Sequence, residues 1–304
     1  MEELLKKYYN IFKNGVYSKR YSNYRKMRFD DLYDLIINAY DISNDKEIER
    51  SIIYFMKFFD QQSWFDIIPG RFSLSNGEEN SKIEFARVKN VPFQWFKPSK
   101  HMLKKANFIF MDKCTDDVYC KAHMSIKPEK YISVLIRLQQ FIDGLYLNHG
   151  DEELGQIKFR NFPANDAIVL RFAKEEHYQE FLAFLDVNQD IIEAFDKPNL
   201  FMPQDKHGLS LVPDNGGSYN HYVTRMLWDY FTLCRNNEKD ISICEFIDFI
   251  NNYDSTLDKT IEKNGEEINS IFKKIFIGKL LMQPNEDLLS YVFKDKNKVL
   301  KLKP

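Results

Sequence analysis

Residues 119–128, Y-C-K-A-H-M-S-I-K-P, constrain the fold more than any other stretch of the chain. With a period of two, Val118, Cys120, Ala122, Met124 and Ile126 share one face, while Tyr119, Lys121, His123 and Ser125 share the other. One face is wholly apolar and has to be buried. The opposite face carries a cation, an imidazole and a hydroxyl, and it presents Lys-x-His to solvent or to a cleft. Pro128 then suits the first turn of a helix, where its missing N–H costs nothing. A strand with one buried face, leading at once into a helix, predicts a sheet packed by helices, with chemistry on its polar side.

The surrounding chain supplies both partners. Strands are predicted over 83–88, 107–111, 156–160 and 168–172, and a short one over 209–212. The helix opened by Pro128 runs to about Leu147, with Ile132, Leu135, Ile136, Leu138, Phe141 and Ile142 on its buried side. Further helices are expected over 175–185, 189–195 and 218–233, the last with Ser218 as N-cap. Upstream, 2–12, 29–40 and 46–59 read as helical, with Asn44 a cap for the third. Gly70 and the stretch 73–81, S-L-S-N-G-E-E-N-S, read as turn or loop. Downstream, 241–249, 257–281 and 287–293 read as helical. Strands in the middle and helices at both ends predict an α+β fold with a central, mainly antiparallel sheet packed with helices. The expected organisation is a helical N-terminal region over 1–78 and an α+β domain with a helical C-terminus over 79–304.

Charge narrows the function classes. The 304 residues hold 43 Lys and Arg against 45 Asp and Glu, a net −2, which argues against a general nucleic-acid binder. Cys114, Cys120, Cys234 and Cys244 have no zinc-ligand spacing, and no metal is expected. The first ten residues, M-E-E-L-L-K-K-Y-Y-N, contain no apolar secretory stretch, and no run of about 20 apolar residues occurs that would cross a bilayer. A cytoplasmic protein with reduced cysteines is expected.

Against this neutral background, cations gather in one region. In 156–160, Gln156, Lys158 and Arg160 share a face opposite Ile157 and Phe159; in 168–172, Arg171 lies with Val169 opposite Ile168, Leu170 and Phe172. If these strands pair with 118–126, several cations and one histidine meet on one sheet face. Taken singly, Lys121 and Lys158 read as solvated lysines, His123 as a structural histidine and Arg171 as an ion-pair partner. Together they call for an anion, because crowded like charges are costly without one, and a phosphate dianion is the simplest. The Gly-Gly-Ser entry to the helix at Ser218 adds backbone N–H donors, with Arg225 two turns further in.

These residues carry a resemblance. The segment K-A-H-M-S-I resembles the Lys-x-His-hydrophobic-Ser strand of the phosphothreonine lyases, bacterial type III effectors that remove phosphate from host kinases by β-elimination. The same lyase unit occurs in class III, IV and V lanthipeptide synthetases, where it converts phosphoserine and phosphothreonine of a precursor peptide into dehydroalanine and dehydrobutyrine. Pro198, Pro203, Gly208-Leu209, Pro213, then Gly217-Ser218-Tyr219 and Arg225 look closer to the lanthipeptide branch and its plant-pathogen effector relatives. The resemblance covers roughly residues 105–235. It implies His123 as general acid, Lys158 as general base, and Lys121 and Arg225 as phosphate-binding residues, with no cofactor. Arg160 and Arg171 join the phosphate-binding candidates, and Ser125, Gln156 and Ser218 are candidates for substrate binding. Three departures stand out: Gln156 replaces a second lysine, Arg171 an expected tyrosine, and Asn220-His221 a small Gly-x pair.

The implied function is a phospho-Ser/Thr lyase acting on a phosphorylated precursor peptide, with a separate kinase as partner, since the chain has no Gly-rich loop, H-R-D or D-F-G. The N-terminal helices are then a place for the leader peptide or the partner. Two other readings use the same residues: an effector lyase acting on a host phosphoprotein, and a phosphopeptide-binding module without turnover. Neither requires nucleic acid or membrane.

Overall fold

The structure is a computed structural model that describes residues 1–18, 23–37, 72–75, 82–84, 108–111, 119–149, 155–160, 166–213, 218–253 and 266–294. In chain order the elements are α1 (Glu2–Asn14), β1 (Val16–Ser18), β2 (Asn23–Arg25), α2 (Phe29–Ile36), β3 (Phe72–Ser75), β4 (Lys82–Glu84), β5 (Phe108–Met111) and β6 (Cys120–Met124). A 3-10 turn over Pro128–Lys130 leads into α3 (Tyr131–His149), followed by β7 (Gly155–Arg160), β8 (Ile168–Phe172), α4 (Glu175–Val187) and α5 (Gln189–Glu193). The chain continues through β9 (Ser210–Val212), α6 (Tyr219–Asn236), α7 (Ile243–Asn251), α8 (Glu266–Leu280) and α9 (Asn285–Lys294). The fold is α+β, as the pattern of the sequence predicts.

The chain divides into two compact units: residues 1–38, 199–206 and 210–304 form the first, and residues 39–198 and 207–209 the second. In the first, α1 buries Leu5, Tyr8, Tyr9 and Phe12, and Phe12 meets Trp228 of α6 edge-on at 5.1 Å. Gly15 closes α1 at φ +86, where a Cβ would sit 2.3 Å from the Arg25 carbonyl oxygen, so glycine is required between helix and strand. The hairpin β1–β2 interrupts a region expected to be helical; its three-residue strands are too short to show a period. Along the same helix α6, Tyr230 stacks on Phe246 of α7 at 4.6 Å, and at its N-terminus Tyr219 meets Phe272 of α8 edge-on at 5.0 Å.

Among the described residues the second unit holds six strands in the order β4-β3-β5-β7-β8-β6, and every pairing among them is antiparallel. Strand β3 falls where the Ser-rich stretch read as loop: Phe72–Ser75 pairs on both sides, because ladder hydrogen bonds outweigh a weak local preference. On one side of the sheet Cys120, Ala122, Met124, Ile157, Ile168, Leu170 and Phe172 are buried. Helix α4 covers this side through Phe172–Phe181 at 5.3 Å, and Phe141 of α3 adds to the cluster at 5.1 Å from Phe181. Leu135, Leu138 and Phe141 lie on the buried side of α3 as expected, joined by Tyr131, Val134 and Leu145. The helix expected over 46–59 lies outside the described residues. So does the part of the 73–81 loop beyond Ser75.

Candidate functional site

Register decides which polar residues meet. Between β6 and β8, Lys121 stands opposite Arg171 and His123 opposite Val169; between β7 and β8, Gln156 stands opposite Arg171 and Lys158 opposite Val169. Directly opposed residues of an antiparallel ladder share a face. Two parallel rows therefore cross the sheet. One reads Lys121, Arg171, Gln156. The other reads His123, Val169, Lys158, and continues to Phe110 of β5. Arg160 lies two residues further along β7, opposite Phe108. The convergence foreseen from strand parity is present within a single unit.

The strand carrying Lys121 and His123 is anchored at both ends. The Tyr119 N–H donates to the Phe172 carbonyl at 2.7 Å, and at the far end the Asp196 N–H donates to the Ser125 carbonyl at 2.9 Å. Lys127 ties the same end to the C-terminal end of α5, its N–H donating to the Ala194 carbonyl at 2.9 Å and its Nζ to the Glu193 carbonyl at 2.8 Å. Burial, and then the charge of Glu175, push the Tyr119 phenol above its ordinary value, so it stays protonated near neutrality.

Of the two placements expected for this face, solvent or a cleft, burial favours the second for His123 and Ser125. His123 is only 7% exposed and Ser125 9%, whereas Lys121, Lys158 and Arg171 are half-buried. The imidazole therefore sits in a largely water-excluded place while the cations beside it keep part of their surface in water. Lys121 and Arg171 stand directly opposite each other across the ladder, two cations placed so that one anion can contact both. The backbones of His123 and Lys158 are two strand spacings apart, roughly 9–10 Å, with Val169 of β8 between them.

Ser218 and Arg225 belong to the other unit, on α6. Ser218 is the N-cap, its Oγ accepting from the His221 N–H at 3.3 Å, and the Arg225 guanidinium lies 4.9 Å from the centre of the Phe29 ring. His207 is buried with its Nε2 2.7 Å from Asp186 Oδ1. Among the described residues no group of three or more His, Cys, Asp or Glu is placed to hold a metal ion, and no helix is long and apolar enough to cross a membrane. Sequence reasoning gave Val169 a side of its strand but no role, since only the register seats it between His123 and Lys158.

No protein-family model matches the sequence, and no curated protein does. Two solved structures are similar to the chain. One is an effector protein from Pseudomonas syringae pv. tomato strain DC3000, at 12% identity, covering 82% of this chain and 93% of that one, with a TM-score of 0.44. The other is an effector protein from Pseudomonas syringae pv. syringae strain 61, at 10% identity, covering 73% and 85%, with a TM-score of 0.40.

Proposed function

We propose that the chain is a phosphoserine/phosphothreonine lyase that forms dehydroalanine or dehydrobutyrine in a precursor peptide phosphorylated by a separate kinase. The observation that carries the reading is the register. It sets Lys158 and His123 in one row across the sheet, with the half-buried pair Lys121 and Arg171 in the next. The resemblance of K-A-H-M-S-I, and of the Pro/Gly-rich segment running into Ser218, to the lanthipeptide lyases selects the peptide substrate.

In the reaction, neutral Lys158 removes the Cα proton of the phosphorylated residue. The Cα–H electron pair becomes the Cα=Cβ double bond, the Cβ–O bond breaks, and its electrons leave on the phosphate oxygen. His123, as imidazolium, protonates that oxygen. Lys121 and Arg171 bind the phosphate and stabilise the charge that grows on it, with Arg160 along the same strand as Lys158. Neighbouring cations and partial burial favour the neutral form of Lys158, and a bound dianion opposes that. Water takes no part in the bond-breaking step, which suits the water-excluded place of His123.

The test is mass spectrometry of a phosphothreonine and a phosphoserine peptide incubated with the protein. Loss of the elements of phosphoric acid, H3PO4, is the expected result. Replacement of Lys158 or His123 by alanine should lower the rate about 10²–10⁴-fold, the range for a general acid or base. Loss of HPO3, the signature of hydrolysis, overturns the reading.

A further inference from the structure

The row that holds the proposed base and acid contains one residue that is the direct cross-strand neighbour of both. Val169 stands opposite His123 on one side and opposite Lys158 on the other, and it is 5% exposed. We propose that Val169 is the specificity-determining residue of this site, an apolar seat that reads the substituent on the Cβ of the phosphorylated residue and favours phosphothreonine over phosphoserine.

The inference rests on the lyase reading and follows from the reaction's geometry. Elimination requires Lys158 at the Cα proton and His123 at the oxygen on Cβ. The reacting Cα–Cβ bond therefore lies between the Lys158 and His123 side chains, over β8, where Val169 is the residue in that row. The remaining substituent on Cβ is a hydrogen in phosphoserine and a methyl in phosphothreonine. A branched apolar side chain in a water-poor position gains contact with the methyl and nothing with the hydrogen. The neighbouring positions on that face of β8 offer no alternative, since Arg171 lies in the adjacent row among the phosphate-binding candidates.

Two peptides identical except for phosphothreonine or phosphoserine, assayed with the wild-type protein and with Val169→Ala and Val169→Thr, test the proposal. Wild type should have the higher kcat/KM on phosphothreonine. Both variants should lower the phosphothreonine-to-phosphoserine ratio about ten-fold, the lower end of what one methyl in an apolar pocket discriminates. Val169→Thr keeps the branched shape, so a fall there is not a cavity effect, and because both peptides are assayed with the same protein a loss of folded enzyme lowers both rates and leaves their ratio unmoved. A ratio that stays at the wild-type value in both variants overturns the proposal. The affinities of the same peptides for Lys158→Ala protein, with and without Val169→Thr, separate this result from the lyase reading. If wild type eliminates neither peptide, the lyase reading fails, and Val169 is judged by whether the affinity ratio falls as the rate ratio was expected to. An unmoved affinity ratio then overturns it too.

Discussion

Replacing Asn199 with alanine removes the centre of a buried polar cluster in the first unit. Asn199 and Asn220 are both 0% exposed. The Asn199 amide donates to Asn220 Oδ1 at 2.8 Å, and its own Oδ1 accepts from the Phe201 N–H at 2.9 Å. In the alanine variant the Phe201 N–H and the Asn220 oxygen each lose that partner without gaining access to bulk water. A buried polar group stranded in this way costs about 1–3 kcal/mol, so two of them give roughly 2–6 kcal/mol. A water entering the vacated space would recover part of this, bringing the expected loss to about 2–4 kcal/mol. The Gln204 side chain still has the Asn199 carbonyl to donate to, at 2.9 Å, because that bond uses backbone. The assay is urea unfolding followed by Trp228 fluorescence in a Trp64→Phe/Trp95→Phe background. Trp228 lies against Phe12 and Phe29 and so reports on this unit. A loss below about 1 kcal/mol would refute the reasoning, since it would mean that stranding both groups carries no desolvation penalty. Adding Asn220→Ala should cost much less than it does alone, because the shared bond is already gone.

Two further predictions concern the same unit. Burial alone would raise the Asp31 carboxyl, but the Arg25 guanidinium, at 2.6 Å from both oxygens, and the Arg28 N–H at 2.7 Å outweigh it and hold the carboxyl below its ordinary value. A depressed folded value means stability that is full above the unfolded pKa of about 3.9 and is lost as pH falls through the folded one; Asp31→Asn should flatten that acid limb in melting temperature against pH, and an unchanged limb would contradict the assignment. At Gly278 in α8, an added Cβ would sit 2.3 Å from Leu288 Cδ2 and 2.7 Å from Gln283 Oε1. Gly278→Ala gains about 1 kcal/mol of helix propensity but incurs about 1–3 kcal/mol of overpacking against a fully buried leucine, so thermal melting should show a net loss.

Much of the architecture was legible in the amino-acid order alone. The alternation in 118–126 fixes which residues of β6 share a face, and Cys120, Ala122 and Met124 are buried as that alternation requires. Strands β7 and β8, helix α3 after Pro128 and the Ser218 cap of α6 follow from period and end signals, because those are local properties of the backbone. The order β5-β7-β8-β6 was not legible, and neither was the register that sets Lys121 against Arg171 and puts Val169 between His123 and Lys158. A period of two says which side of a strand a residue takes, but sliding a strand by two residues preserves that pattern while changing every neighbour. The return of residues 199–206 to the first unit through a buried Asn199–Asn220 contact is likewise non-local, since no composition signal marks two asparagines 21 positions apart as partners. Side and element type are written along the chain; rows, neighbours and the seat between two candidate catalytic groups exist only once the strands have packed.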